Sequence, residues 1–157
     1  MKPPRLGLII AFVILIMDQV TKWLVLDALS DLKRVVIVPG FFDFSLAWNR
    51  GVSFSMFSSS AEFMPWVLSG IAILIVLGLL WWLAKVDTLM VSCGIGMIIG
   101  GAVGNLIDRL RFGAVVDFLD FYLVGYHWPT FNIADCAVTV GVGLILLDSW
   151  LMSKQSA

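Results

Sequence analysis

The sequence contains few residues of the kinds that bind metals or assist catalytic serines and cysteines. Its 157 residues include two cysteines and one histidine. They form no CxxC pair and no cluster of histidine with cysteine, so no metal centre and no cofactor are expected. Neither GxSxG nor HExxH occurs, so the sequence gives no support for a hydrolase that uses serine, cysteine or zinc. The glycine-rich stretch follows no strand, which excludes a phosphate-binding loop.

Charge is also scarce. Charged residues make up 13% of the chain, and the net charge is −1. No nucleic-acid partner is therefore expected, and neither is an acidic tail. The sequence has no serine-rich or proline-rich stretch that would separate domains, which favours a single domain over residues 1–157.

Apolar residues, by contrast, are abundant. They account for 61% of the chain, against about 45 to 50% in soluble domains, and the mean hydropathy is +1.01. The excess falls in four runs that approach the roughly 20 residues needed to cross a bilayer. These runs cover residues 6–26, 66–84, 90–107 and 134–152. The sequence therefore predicts an all-α integral membrane protein with four transmembrane helices.

The first run has an alternative interpretation as a cleaved signal peptide, because Lys2 and Arg5 precede it. Asp18 and Lys22 argue against that interpretation, since the apolar region of a signal peptide has no use for charge. Their spacing of four residues places them on one helix face, where they can form an ion pair. A charge at bilayer depth costs at least about 2.5 to 3.5 kcal/mol. The pair is expected either to steady the helix bundle or to take part in function.

The segment between the first two runs has the character of β-strands. Residues 34–38 and 41–48 read RVVIV and FFDFSLAW, and a Pro39-Gly40 turn separates them. A small β-sheet over about residues 34–58 is therefore predicted between helices 1 and 2, on the outer membrane surface. Its aromatic side chains suit the headgroup level, as a platform over lipid or as an anchoring belt. They are Phe41, Phe42, Phe44, Trp48, Phe54 and Phe57.

The short loops favour one orientation in the membrane. The turn at 85–89 and the N-terminus are basic, which places both termini in the cytoplasm. The strand-like segment and the connection before residue 134 then lie outside. Cys93 and Cys136 are expected near opposite membrane faces as free thiols, because a disulfide needs Cα atoms within about 7 Å.

The third run carries glycines at the spacing of one helix face. Gly96, Gly100 and Gly104 recur every four residues, with Gly94 and Gly101 beside them. Small residues at this spacing let another backbone approach closely. The expected partner is a neighbouring helix, and the alternative is an extended substrate peptide in the same groove.

Polar residues cluster where the third run ends. Asn105, Asp108 and Arg109 lie within one helical turn, so Asn105 can share a face with Asp108 or with Arg109. An ion pair between Asp108 and Arg109 that closes the helix is the simpler interpretation.

Two acids bracket the connection to the fourth run. Asp117 lies in the apolar VVDF, and Asp135, the last residue of FNIAD, lies in the first turn predicted for the fourth run. The helix dipole favours an acid there, so Asp135 alone could be a cap residue. A cap does not explain why Asp117 and Asn132 lie beside the same short connection. Two carboxylates in an apolar setting can share one proton, so that one activates water and the other polarises a carbonyl.

Other interpretations of the acids stay open at this point. Asp18, Asp117 and Asp135 could relay protons in a small proton-coupled transporter subunit. The acids could also serve only in ion pairs of a structural scaffold. His127 is expected to be an interfacial side chain in an aromatic loop, and Asp148 is expected to make a polar contact at the inner face.

Five motifs together resemble bacterial lipoprotein signal peptidase, also called signal peptidase II. They occur in the order and at the spacing of that family across nearly the whole chain. They are DQVTK at 18–22, NRGVSFSMF at 49–57, GGAVGNLIDR at 100–109, VVDF at 115–118 and FNIAD at 131–135. Arg50 and Ser53 depart from the family pattern, which has Thr and Ala at these positions in many members.

The resemblance implies an aspartic endopeptidase of the bacterial inner membrane, with its active site toward the periplasmic face. Its substrates would be diacylglyceryl-modified prolipoproteins, cut on the N-terminal side of the lipidated cysteine. Membrane lipid and the cyclic peptide inhibitor globomycin would be further partners, and a monomer is expected. By motif match Asp117 and Asp135 are catalytic. The residues expected to bind substrate or shape the site are Asp18, Lys22, Asn49, Asn105, Asp108, Arg109 and Asn132.

Overall fold

Four long helices in the described part of the chain form a membrane bundle. The computed structural model describes residues 2–30, 32, 34–51 and 63–155. The helices are α1 (Pro3–Ala28), α2 (Met64–Leu83), α3 (Leu89–Phe112) and α4 (Ile133–Gln155). Each is long and apolar enough to cross a membrane, so the predicted fold class is confirmed. Phe54 and Phe57, predicted for the aromatic platform, lie outside the described residues.

Local sequence signals explain where α3 begins and ends. The Thr88 hydroxyl caps the first turn by accepting a hydrogen bond from the Val91 N–H at 3.4 Å. At the other end Gly113 has a φ of +69°, a left-handed conformation that glycine adopts without steric cost. The chain can therefore turn sharply from α3 into a strand.

Within the described residues, the sheet has four antiparallel strands. They are β1 (Arg34–Val38), β2 (Phe42–Asn49), β3 (Val115–Leu123) and β4 (Tyr126–His127), in the order β1-β2-β3-β4. The first two were predicted between helices 1 and 2. The prediction of a short connection between the third and fourth helices was wrong, because that connection contains the β3–β4 hairpin.

Helix α3 lies at the centre of the bundle, and its glycines contact α1 on one side. A Cβ added to Gly96 would collide with the carbonyl oxygen of Gly7, and one added to Gly100 would lie 2.5 Å from the carbonyl oxygen of Ala11. Real Cβ atoms do not approach oxygen so closely. The two backbones are therefore in direct contact, as expected for small residues at four-residue spacing.

A second row of glycines on α3 contacts α4. A Cβ on Gly94 would lie 2.6 Å from the carbonyl oxygen of Gly141, and one on Gly101 would lie 2.5 Å from that of Ala134. Both glycine rows are therefore filled by helices of the same chain. The alternative prediction, an extended substrate peptide in this groove, was wrong because no space remains there.

An apolar cluster fixes the sheet over one end of the bundle. Val25 and Leu29 at the end of α1 are buried against Phe118 of β3. Complete burial of one such side chain contributes about 1.5 to 3 kcal/mol. The residues beside Phe118 on β3 are thereby held against the ends of the helices.

Candidate active site

The fourth helix begins with a reciprocal cap that fixes Asp135. The Asp135 N–H donates to Asn132 Oδ1 at 3.0 Å, and the Asn132 N–H donates to Asp135 Oδ2 at 3.2 Å. This is the geometry of a capping box. The expectation that Asp135 lies in the first turn is confirmed. The cap also sets the direction of the carboxylate.

Strand β3 brings Asp117 to the same asparagine. Asp117 pairs with Ala47 across the β2–β3 ladder, and its side chain is only 1% exposed. Asn132 Nδ2 donates to Asp117 Oδ1 at 2.7 Å, and Asn49 Nδ2 donates to Asp117 Oδ2 at 2.9 Å. Asn132 therefore contacts both carboxylates, one with its side chain and the other with its backbone N–H.

Asp117 holds a proton more tightly than a free aspartate. Its pKa is raised from 3.8 to about 6, chiefly because burial disfavours the carboxylate, and also because the charge of Asp135 repels it. The hydrogen bonds from Asn49 and Asn132 oppose this shift. Asp117 therefore takes up a proton at about pH 6, above the range in which a free aspartate does so.

Asn105 of α3 connects Asp135 to the interior of the bundle. Its Nδ2 donates to Asp135 Oδ1 at 2.9 Å. Its Oδ1 accepts from Lys22 Nζ at 2.9 Å and from Asn132 Nδ2 at 3.1 Å. Because Lys22 can only donate, the amide of Asn105 has one allowed orientation, with its NH₂ group toward Asp135.

Lys22 is the centre of a buried charge network. Its Nζ lies 2.8 Å from Asp18 Oδ2 and 2.7 Å from Asp108 Oδ2, and all three side chains are almost fully buried. The expected Asp18–Lys22 ion pair is therefore present. The simpler interpretation of Asp108, an ion pair with Arg109, was wrong because Asp108 binds Lys22 of the neighbouring helix.

Asp18 also connects α1 to the start of α4. Its Oδ1 accepts from the Ala134 N–H at 3.0 Å, one of the free donors of a helix N-terminus. Its carboxylate occupies the space that a Cβ on Gly104 would fill. Gln19 Nε2 lies 3.2 Å from Asp18 Oδ2 and 3.1 Å from Asp108 Oδ1. Sequence reasoning gave no role to Gln19; a polar residue inside an apolar run was the available signal.

Asp108 and Arg109 face different partners. Asp108 Oδ2 accepts from the Val116 N–H at 3.1 Å, which fixes the start of β3. Arg109 Nη1 donates to the Asn105 carbonyl oxygen at 3.4 Å, and its Nε is buried with no hydrogen-bond partner within the described part of the chain. Arg109 is close enough to Asp135 and Asp117 for their charges to act on its guanidinium.

A pocket of about 480 Å³ lies beside Asp135. Its wall is mainly apolar, which suits a lipid or a hydrophobic peptide better than a polar ligand. The pocket is lined by Trp128, Phe131, Asp135, Cys136, Thr139 and Val140. Among the described residues that line it, Asp135 alone is charged, and the pocket runs along the first two turns of α4.

All nine predicted site residues meet at the sheet end of the bundle. Eight are joined by the ion pairs and side-chain hydrogen bonds given above, and Arg109 joins through the Asn105 carbonyl. The eight are Asp18, Lys22, Asn49, Asn105, Asp108, Asp117, Asn132 and Asp135.

Two other residues discussed from the sequence lie outside this network. His127 Nδ1 lies 2.8 Å from Asp120 Oδ1, and its ring stacks on Tyr122. Asp148 is partly buried near the opposite end of α4, where it lines a pocket with Asp87. Neither contacts the two acids.

Comparison with known families gives a match over most of the chain. A family model described as Signal peptidase (SPase) II matches residues 10–151. A protein named lipoprotein signal peptidase from Rhodopseudomonas palustris is 44% identical over 154 residues, 95% of this chain and 94% of that protein. One of the same name from Syntrophotalea carbinolica is 39% identical over 93% of this chain and 91% of that protein.

Solved structures give the same result for the fold. A bacterial membrane enzyme determined at 2.3 Å resolution superposes with a TM-score of 0.81 and 30% identity, covering 96% of this chain and 91% of that one. A second bacterial membrane enzyme, at 1.9 Å, gives a TM-score of 0.79 and 32% identity, covering 90% of each chain.

Proposed function

Because this chain belongs to the signal peptidase II family, whose members are peptidases that process lipoproteins, we propose that it is an aspartic endopeptidase. Its substrates are diacylglyceryl-modified prolipoproteins, and it cuts on the N-terminal side of the lipidated cysteine. It lies in the bacterial inner membrane, with Asp117 and Asp135 toward the periplasmic face.

The observation that carries this proposal is the contact of both acids with Asn132. Asn132 Nδ2 lies 2.7 Å from Asp117 Oδ1, and the Asn132 N–H lies 3.2 Å from Asp135 Oδ2. Two carboxylates on one residue can act on the same water molecule and the same peptide bond. The amides around them hold the carboxylates without supplying a competing positive charge.

The chemistry divides between the two acids. Asp117, with its pKa of about 6, carries the proton and donates it toward the scissile carbonyl oxygen. Asp135 takes a proton from water, and the oxygen of that water attacks the carbonyl carbon to form a tetrahedral intermediate. The carbon–nitrogen bond then breaks as Asp135 gives its proton to the amine of the cysteine and the collapsing intermediate returns a proton to Asp117. The products are a signal peptide with a new carboxylate and a lipoprotein with a free amine.

The pocket beside Asp135 supports a substrate that arrives from the bilayer. Its mainly apolar wall follows α4 into the membrane-spanning region, so acyl chains or a signal-peptide segment can enter from the side. Once the pocket is filled, less bulk water reaches Asp135, the acid that lines it.

The proposal is tested with purified protein and a diacylglyceryl-modified prolipoprotein, with the product bond identified by mass spectrometry. We expect one cut before the lipidated cysteine, no cut in the unlipidated precursor, and inhibition by globomycin. Asp117→Asn and Asp135→Asn should each slow the cut by about 10²- to 10⁴-fold. Asp148→Asn, the matched control near the opposite end of α4, should retain it.

Two outcomes would contradict the proposal. One is cleavage near the wild-type rate in folded Asp117→Asn or Asp135→Asn protein, which would assign the reaction to other residues. The other is proton transport by the reconstituted protein with no peptide bond cut, as a proton-coupled transporter subunit would give.

A further inference from the structure

The β3–β4 hairpin turns at Val124 and Gly125, with φ of +49° and +79°. Hairpin turns with two positive φ values favour Asn or Asp followed by Gly, because a β-branched side chain crowds its own backbone there. Val124 therefore occupies a position for which an apolar, β-branched residue is poorly suited. If only the stability of the turn mattered, Asn would be expected at this position. We therefore look for a reason why an apolar side chain is favoured at Val124.

The residues around this turn form the hairpin tip, residues 123–128. Val124 is 96% exposed, and Leu123, Tyr126 and Trp128 are 66%, 73% and 62% exposed. A continuous apolar and aromatic surface of this kind is unusual on a face in contact with water. Tyrosine and tryptophan are the residues enriched where a protein meets the bilayer interface.

The hairpin tip lies beside the membrane-spanning part of α4. Trp128 lines the same pocket as Thr139 and Val140. Val140 comes two turns after Ile133, the first residue of α4, which is about 10 Å along the helix axis. Val140 is itself exposed. The surface of the tip therefore continues into a lipid-facing surface of α4.

The base of the tip is held firmly in place. Asp120 is buried, and its carboxylate oxygens lie 2.8 Å and 3.0 Å from His127 Nδ1. The ring of His127 stacks on Tyr122 at 4.7 Å between centroids. These contacts fix β4 against β3, so the exposed side chains beyond them keep one direction.

We propose that the hairpin tip inserts into the bilayer, with Val124 among the upper acyl chains and with Tyr126 and Trp128 at the headgroup level. The partner is the phospholipid beside α4. Insertion explains why position 124 is an exposed Val although its backbone conformation favours Asn. This proposal does not depend on the peptidase activity. It also places one wall of the Asp135 pocket in direct contact with lipid.

The test uses the full chain in phosphatidylcholine nanodiscs, with Cys93→Ala and Cys136→Ala to leave one thiol. A polarity-sensitive NBD dye is attached at Val124→Cys or, as a control in a polar turn at the opposite end, at Asp87→Cys. Lipids that carry a nitroxide on the acyl chain close to the headgroup should quench most of the NBD fluorescence at position 124 and little of that at position 87. Equal quenching at both positions would overturn the proposal. So would a dye at 124 that is shielded from water but not quenched, since a protein surface would then cover the tip.

A second variant separates insertion from turn geometry. With the dye at Leu123→Cys, quenching is compared in chains with and without Val124→Asn. Asn suits a positive φ better than Val, so the turn should fold at least as well. We expect a clear loss of nitroxide quenching with Val124→Asn. Unchanged quenching would show that Val124 does not anchor the tip and would contradict the proposal.

Discussion

Asp117 is a buried carboxyl of the site that lies outside the membrane spans. Burial and the neighbouring Asp135 raise its pKa to about 6, whereas the unfolded chain keeps the ordinary value near 3.8. The native state therefore binds this proton more tightly than the unfolded state. The stabilisation is complete below the unfolded pKa and is lost as the pH rises through about 6.

Replacing Asp117 with Asn should remove this pH dependence. A shift of about two units corresponds to a change on the order of 3 kcal/mol. We expect the unfolding free energy of wild type, relative to Asp117→Asn, to fall by that order as pH rises from about 4 to about 8. Chemical or thermal unfolding in detergent at several pH values measures it. A difference that stays flat over this range would show that Asp117 is not buried as described.

Lys22 forms a buried ion pair with Asp18 and another with Asp108. We expect Lys22→Met to lower the unfolding free energy by about 3 to 5 kcal/mol, because it leaves two buried carboxylates without a cation. The amide of Asn105 also loses a donor that sets its orientation, so cleavage should slow. Thermal unfolding and the cleavage rate measure the two effects.

The control for Lys22 is Lys85→Met. The Lys85 ammonium lies 3.6 Å from the centre of the exposed Trp81 ring, so its removal should cost no more than about 1 kcal/mol. Adding Asp18→Asn to Lys22→Met should restore part of the stability. If Lys22→Met were no worse than Lys85→Met, the buried network would not hold the helices together.

At the level of elements, the glycines of α3 decide how closely the helices approach. Gly96→Ala should lower the melting temperature, since its Cβ would collide with the backbone of α1 at Gly7. Overpacking of this kind costs about 1 to 3 kcal/mol. Gly143→Ala on α4 is the matched control, because a Cβ there meets nothing within 4 Å. Equal melting temperatures for the two variants would contradict the packing described.

The sequence predicted elements whose signals are local and missed those whose partners are distant. Apolar length indicated the helices, and the Pro39-Gly40 turn indicated β1 and β2. Strand β3 was missed because α2 and α3 separate it in sequence from its partner, β2. The periodicity of a single segment gives no information on pairing between distant segments. The glycine spacing predicted close contact but not which helix would fill each row.

The residues of the site could be predicted from the sequence, but their contacts could not. Motif matches named the polar residues, whereas the contacts that join them depend on where α1, α3, β3 and α4 meet. Asp43 and Asp120 were not singled out, although both are buried acids of the sheet. Asp43 pairs with Arg34 and accepts a hydrogen bond from Tyr122. The sequence alone does not distinguish Asp43 and Asp120 from Asp117, whereas their contacts in the fold do.

On the scale of the whole molecule, the sheet sits over one end of a bundle that crosses the membrane. This arrangement holds Asp117 on the sheet and Asp135 on α4 at the level where a span ends. A lipidated peptide held in the bilayer presents its bond at that level. The orientation of this end toward the periplasm stays a prediction.

The central claim, that Asp117 and Asp135 act as one unit, is tested most directly by the cleavage rates of Asp117→Asn, Asp135→Asn and the double variant. Each single change should slow cleavage of the lipidated substrate by about 10²- to 10⁴-fold. The double variant should be no slower than the worse single one, because either change disables the pair. Losses that multiply in the double variant, or a single variant near the wild-type rate, would contradict the claim.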